Sequence, residues 1–208
     1  MVYLLSLVFC VGGIVAAVFG FRRYRTLVVK RQLRIVKGTS AITRCLQSIP
    51  ITLLPLPVRE ALIHIYMATS ERLAHGIFER YASSLPGHIA TLHKAVADAR
   101  RADRPIAPVH AETAAALRDL REHIIACSKL DLLGPRQLAL ASSALHLAEE
   151  LAGVELLMQE AQRAMILHER TRSEELRALA LARCARLPLK TAEETRRRVE
   201  AGLNVRVA

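Results

Sequence analysis

Apolar positions follow two different patterns along this chain. From Val2 to Phe21 they run almost continuously with no charged residue, whereas beyond Pro57 they recur at helical spacing between polar faces. About 20 helical residues at ~1.5 Å rise match the ~30 Å hydrocarbon core of a bilayer. The first run therefore predicts a single transmembrane helix. Tyr3 at one end and Phe21 and Tyr24 at the other are placed as interfacial aromatics. A cleaved signal peptide would carry its charge before the apolar core, but here the charge follows it. Lipid modification at Cys10 is not expected either, because Phe9 precedes it where a small residue would be needed.

The second pattern predicts helices throughout. Pro50, Pro55 and Pro57 are the first strong punctuation, and they set the expected division of the chain: 1–21 anchor, 22–57 basic juxtamembrane segment and Pro-rich linker, 58–208 helical bundle. One helix is predicted from Val58 to about Ala82, with Leu62, Ile65, Tyr66, Leu73 and Ile77 on one side. A second begins near Pro86 and carries Ile89, Leu92 and Val96, ending at a breaker region around Pro105 and Pro108. A third, from about Ala111 to Leu130, presents Leu117, Leu120, Ile124 and Cys127.

Gly134 and Pro135 open the longest segment of the bundle. In it Leu140, Ala144, Leu147, Leu151, Val154, Met158, Ala161 and Met165 alternate steps of four and three, which is a heptad seam. Two Ala and two Met over little more than three heptads point to packing inside a bundle rather than to a dedicated dimeric coil. Past the seam, His168–Glu175 is almost wholly polar, so the helix either breaks there or projects into solvent. Thr171 with Glu174, and Thr191 with Glu194, match capping boxes, and Gly202 is placed to stop a last short helix. The fold class is thus all-α: one transmembrane helix followed by a cytoplasmic helical bundle with one long heptad-patterned helix.

Charge sharpens this division. The first 59 residues hold nine Arg or Lys and no Asp or Glu, against 21 and 19 in the remainder, so most of the net +11 lies beside the apolar run. Arg22, Arg23, Arg25, Lys30, Arg31, Arg34 and Lys37 form a collar that the positive-inside tendency holds in the cytoplasm, with the amino terminus outside. These seven are the candidate lipid-headgroup contacts, since an anionic leaflet attracts each basic residue by roughly 1 kcal/mol. If the helix continues, Arg23, Lys30, Arg34 and Lys37 share a narrow arc opposite Val28, Ile35 and Val36. A short hairpin over Leu27–Val29 and Lys37-Gly38 is the minor alternative. Arg outnumbers Lys 25 to 5, a bias that suits GC-rich bacterial coding and the bacterial inner membrane.

Candidate chemistry adds little. Gly12, Ala16 and Gly20 recur every four residues, the spacing by which two membrane helices approach closely, so a homodimer through the anchor is one expectation. Glu60, His64, Glu71 and His75 form two Glu-x-x-x-His pairs on one helix face; the pairs lie about 16 Å apart and cannot share an ion, so they read as solvated pairs and only weak metal candidates. Cys10, Cys45, Cys127 and Cys184 are isolated. There is no His-Glu-x-x-His, no Gly-x-Ser-x-Gly and no glycine-rich phosphate loop. No catalytic residue and no cofactor is expected. The sequence reads as a membrane-anchored interaction or scaffold protein whose partners are the anionic inner leaflet and other proteins. A membrane-tethered nucleic-acid-binding or regulatory factor using Arg196, Arg197 and Arg198 is the alternative, weakened by the scarcity of stacking aromatics. An enzyme acting on a membrane-proximal substrate comes third.

Overall fold

No proline precedes Pro50, and the backbone uses that freedom fully: α1, Val2–Ser48, is one α-helix of 47 residues, about 70 Å long. The computed structural model describes residues 2–99 and 110–202, with side chains described over 17–98 and 110–202. After a short 3-10 turn at Ile51–Leu53 follow α2 (Leu56–Leu73), α3 (Glu79–Ala82), α4 (Leu85–Ala99), α5 (Ala111–Ser128), α6 (Pro135–Ile166), α7 (Arg170–Cys184) and α8 (Leu189–Glu200). Among the described residues there is no strand. The all-α expectation holds.

The transmembrane part of that expectation gains no support. Among the described residues no helix is long and apolar enough to cross a membrane. Residues 2–16, which carry most of the apolar run, lie outside those whose side chains are described, as do Cys10, Gly12 and Ala16. The breaker region at Pro105 and Pro108 is also outside the described residues.

The core begins well before the prolines. Ile35 and Ile42 on one side of α1, and Ile49 just past its end, are buried together with Leu53 and Leu54, so the second half of α1 and the 3-10 turn pack as part of the bundle rather than linking to it. This side of α1 meets α5 and α2. Gly38 lies within α1 where a Cβ would come 3.3 Å from Cys127 Sγ, which lets the two helices approach closely. The hairpin alternative is excluded by the unbroken helix.

The helix predicted to reach Ala82 stops at Leu73. Gly76 adopts φ 149°, a conformation L side chains rarely take, and a Cβ there would meet the Gln32 side chain at 3.2 Å. The turn thus abuts α1 and turns Ile77 outward, 66% exposed, although the periodicity placed it with the core.

α6 lies at the centre, packed by α5, α2 and α7, with α8 on α7. Its buried face differs from the seam in the first turns. Leu151, Val154, Met158 and Ala161 are buried as expected, but Leu140 and Met165 are 55% and 47% exposed, and Ala144 and Leu147 are half-buried. Ala141, Leu145, Ala148 and Ala152 are buried in their place, a face displaced by one residue and made mostly of alanines that admit close neighbours. The helix ends at His168, which takes the left-handed conformation (φ 60°) while the Glu169 amide donates to Ala164 O at 2.8 Å. Asp131 (φ 58°) closes α5 in the same way, with the Leu132 amide on Cys127 O.

Neither predicted capping box forms. Thr171 and Thr191 fall inside the first turns of α7 and α8, whose N-caps, Glu169 and Pro188, make no side-chain cap hydrogen bond. At α6 the Gly134 amide donates to Gln137 Oε1 at 3.2 Å.

Candidate functional site

Two regions carry more than ordinary packing. The first is the part of α1 that leaves the bundle. Every residue from Ala17 to Leu27 is exposed, Val28 and Val29 are half-buried, and the first fully packed side chain is Ile35. Phe19, Phe21 and Tyr24 are each about two-thirds exposed (68%, 66% and 66%), alternating with Arg22, Arg23 and Arg25. A contiguous exposed patch of apolar and aromatic side chains is of the kind that marks an interaction surface.

The seven collar residues are all exposed. Opposite the basic arc, Ile35 is buried in the core, Val36 packs against it and Val28 is half-buried, although the prolines placed this segment outside the bundle. Arg31 pairs with Asp131 at 3.1 Å. Arg72 donates both terminal nitrogens to the carbonyls of Leu130 and Asp131, so the end of α5 is tied to α2 and α1 where α1 emerges.

The second region is interior. Glu149, Glu150 and Glu155 of α6 are all more than nine-tenths buried. Burial of a carboxylate is costly unless it is paired, and two of these three take arginines from neighbouring helices. Glu149 accepts from Arg118 Nε at 3.0 Å and faces Arg121 Nη2 at 3.4 Å. Glu150 accepts from Arg183 Nε at 2.8 Å. The Glu155 carboxylate accepts from Gln159 Nε2 at 3.2 Å. The Arg183 guanidinium lies across Gly153, where an added Cβ would come within 2.6 Å of Nε and closer still to the rest of the group. Gly153 is therefore a packing requirement of the ion pair. These acids were not legible in the sequence, since their partners lie about 30 residues away in either direction.

The remaining sequence candidates do not assemble. Glu60, His64 and Glu71 are exposed on α2 while His75 is exposed in the turn beyond its end, so the predicted Glu71–His75 pair does not share a helix, and among the described residues no group of three or more His, Cys, Asp or Glu is placed to hold a metal ion. Gly20 is exposed with open space around it. Burial pushes the Cys127 thiol up to about 11 and raises Cys184 as well, outweighing the arginine charge that could have favoured a Cys184 thiolate. Burial also pushes the Tyr66 phenol up to about 12, and its hydroxyl sits 3.1 Å from Thr43 Oγ1. Groups so raised stay protonated at neutral pH and are not activated nucleophiles.

On α8, Arg196 pairs with Glu200 at 2.9 Å and Arg198 faces Glu194 at 3.6 Å, so two of the three tail arginines already face carboxylates of their own helix. Comparison with family models, with curated proteins and with solved structures finds no match to this chain.

Proposed function

We propose that this chain is a single-pass protein of the bacterial inner membrane, with its amino terminus outside, whose helical body works on the cytoplasmic side as an interaction or scaffolding module. The observation that carries the reading is the emergence of α1: residues 17–27 leave the bundle as a lone helix, apolar and aromatic residues outward, flanked by arginines. Lipid covers such a surface, and the uncharged run from Val2 continues it in the same direction. Catalysis is not part of the proposal, because Glu149 and Glu150 are matched by arginines, Glu155 accepts from Gln159, and the raised thiols are not activated. Pairing of Arg196 and Arg198 within α8 speaks against the nucleic-acid alternative.

Membrane fractionation with a topology reporter tests the reading. The full chain is expected to stay with membranes through an alkaline wash, and a fusion after Ala208 is expected to show cytoplasmic reporter activity. Release by the wash, or periplasmic phosphatase activity from the fusion, would sink the proposal.

A further inference from the structure

The collar's basic residues do not share one surface. Arg31 is engaged with Asp131. Arg23, Lys30, Arg34 and Lys37 follow one strip of α1 at helical spacing. Lys30 also borders, with Arg22 and Arg25 from the neighbouring face, a single shallow depression that includes Thr26 and Val29. Among the described residues none of these three has a carboxylate partner, and the first 59 residues contain no Asp or Glu. Arg22 and Arg25, three residues apart, repel each other, and Lys30 adds a third like charge on the far side of the depression. An anion seated between them reverses the sign of that interaction.

Helix geometry gives the depth of such an anion. Cα–Cβ bonds tilt toward the helix amino terminus, so Lys30 leans back toward Thr26. With residues 2–21 in hydrocarbon, Arg22 stands at its edge and snorkels outward, and Lys30 lies about 12 Å further along the axis. The two meet near the level of Thr26, about 6–8 Å beyond the hydrocarbon. A headgroup layer about 5–7 Å thick puts lipid phosphate at that level.

Resting on the membrane reading above, we propose that Arg22, Arg25 and Lys30 form a binding site for a lipid whose headgroup carries a dianionic phosphate, a phosphomonoester or a diphosphate. Charge selects this class. A phosphodiester brings one negative charge against three positive ones, whereas a phosphomonoester brings roughly 1.5–2 and leaves three oxygens open to donors. The arginines each offer a fork to two phosphate oxygens, and Lys30 adds a point charge.

The test uses the full chain in nanodiscs of neutral phosphatidylcholine containing either phosphatidic acid or enough phosphatidylglycerol to match its bilayer charge. Lipid retained on the protein after mild detergent release is counted by native mass spectrometry. Phosphatidic acid is expected to be retained about tenfold over phosphatidylglycerol, the equivalent of ~1.4 kcal/mol. The combined Arg22→Gln, Arg25→Gln and Lys30→Gln variant is expected to lose that preference. The Arg23→Gln, Arg34→Gln and Lys37→Gln variant removes the same charge from the rest of the strip and is expected to keep it. Equal retention of the two lipids by the unmodified chain, or equal loss in both variants, overturns the site. Inorganic pyrophosphate in solution is expected to leave the retained lipid in place; its displacement of phosphatidic acid overturns a lipid ligand in favour of a soluble one. Alkaline washing separates the two ideas, because a chain that washes off refutes the anchor, while one that stays without discriminating the lipids refutes this site alone.

Discussion

Residues 17–27 of α1 and residues 149–155 of α6 belong to the two longest described helices and contradict a simple inside-outside rule in opposite ways. In the first, eleven consecutive residues are exposed although Val18, Phe19, Phe21, Tyr24 and Leu27 are among them. In the second, seven consecutive residues are buried although three are glutamates. Position in the assembly decides both. α6 has neighbours on several sides and two of them supply arginines to its acids, whereas residues 17–27 of α1 outrun the bundle and, among the described residues, have no neighbour for their apolar surface. Exposed apolar surface is open to contacts from outside the chain; a buried acid needs a partner within it.

The sharpest break of this comparison is to cut α1 at different points. A chain begun at Val28 removes the exposed stretch and keeps the core, so it is expected to be helical and to melt cooperatively. A chain begun at Val58 also loses Ile35, Ile42, Ile49, Leu53 and Leu54. At roughly 1.5–3 kcal/mol for each buried side chain, that loss is comparable to the whole ~5–15 kcal/mol stability of a domain. This shorter chain is expected to lack a cooperative thermal transition by circular dichroism. If it melts as sharply as the longer one, the second half of α1 is dispensable and the prolines mark the true boundary.

Much of the architecture could be read from residue spacing, and the failures have specific causes. Leu117, Leu120, Ile124 and Cys127 are all fully buried because α5 presents one clear apolar face to a single core. The seam of α6 fails at its ends, where Leu140 and Met165 are exposed, because the neighbouring Ala141 and Ala164 are buried instead, residues too small to stand out in a hydrophobic pattern. The break after Leu73 had only Gly76 as its signal, and a lone glycine in a helical pattern is ambiguous. Of the site candidates, the separation of the basic arc from Val28, Ile35 and Val36 follows from 3.6-residue periodicity. The Arg31–Asp131 pair does not, because it depends on where the α5–α6 loop lies. The pairing of Glu149 and Glu150 was invisible because their arginines come from α5 and α7, about 30 residues away.

Interior pairing is tested by a smaller change. Arg183→Ala leaves Glu150 buried without its arginine, which costs on the order of 3 kcal/mol and lowers Tm by roughly 6–12 °C. Gly153→Ala sets two effects against each other. It gains about 1 kcal/mol of helix propensity but displaces the Arg183 guanidinium, so a net loss of roughly 2 kcal/mol is expected. Combined with Arg183→Ala, the same glycine substitution has nothing left to displace and becomes stabilising by up to about 1 kcal/mol. Additive effects of the two substitutions in a denaturant titration would show that Gly153 and Arg183 are not coupled, and the account of this interior would fail.

The smallest expected effect concerns the two left-handed helix ends. His168 and Asp131 hold nearly the same conformation, φ 60° and 58°, but only Asp131 pairs with α1, through Arg31. Relief of left-handed strain by glycine is worth about 1 kcal/mol at either position. His168→Gly is therefore expected to raise Tm by roughly 2–4 °C. Asp131→Gly gains the same relief but gives up an ion pair whose side chains are 60% and 74% exposed, a contact worth about 0–1 kcal/mol. Its net change is expected to be smaller than that of His168→Gly. Salt supplies the control, because high ionic strength weakens the Arg31–Asp131 pair and should bring the two substitutions together. If Asp131→Gly is the more stabilising at low salt, the Arg31 contact does not help to fix α1 where it leaves the bundle. A gap that persists at high salt would instead assign the difference to the backbone of the two turns.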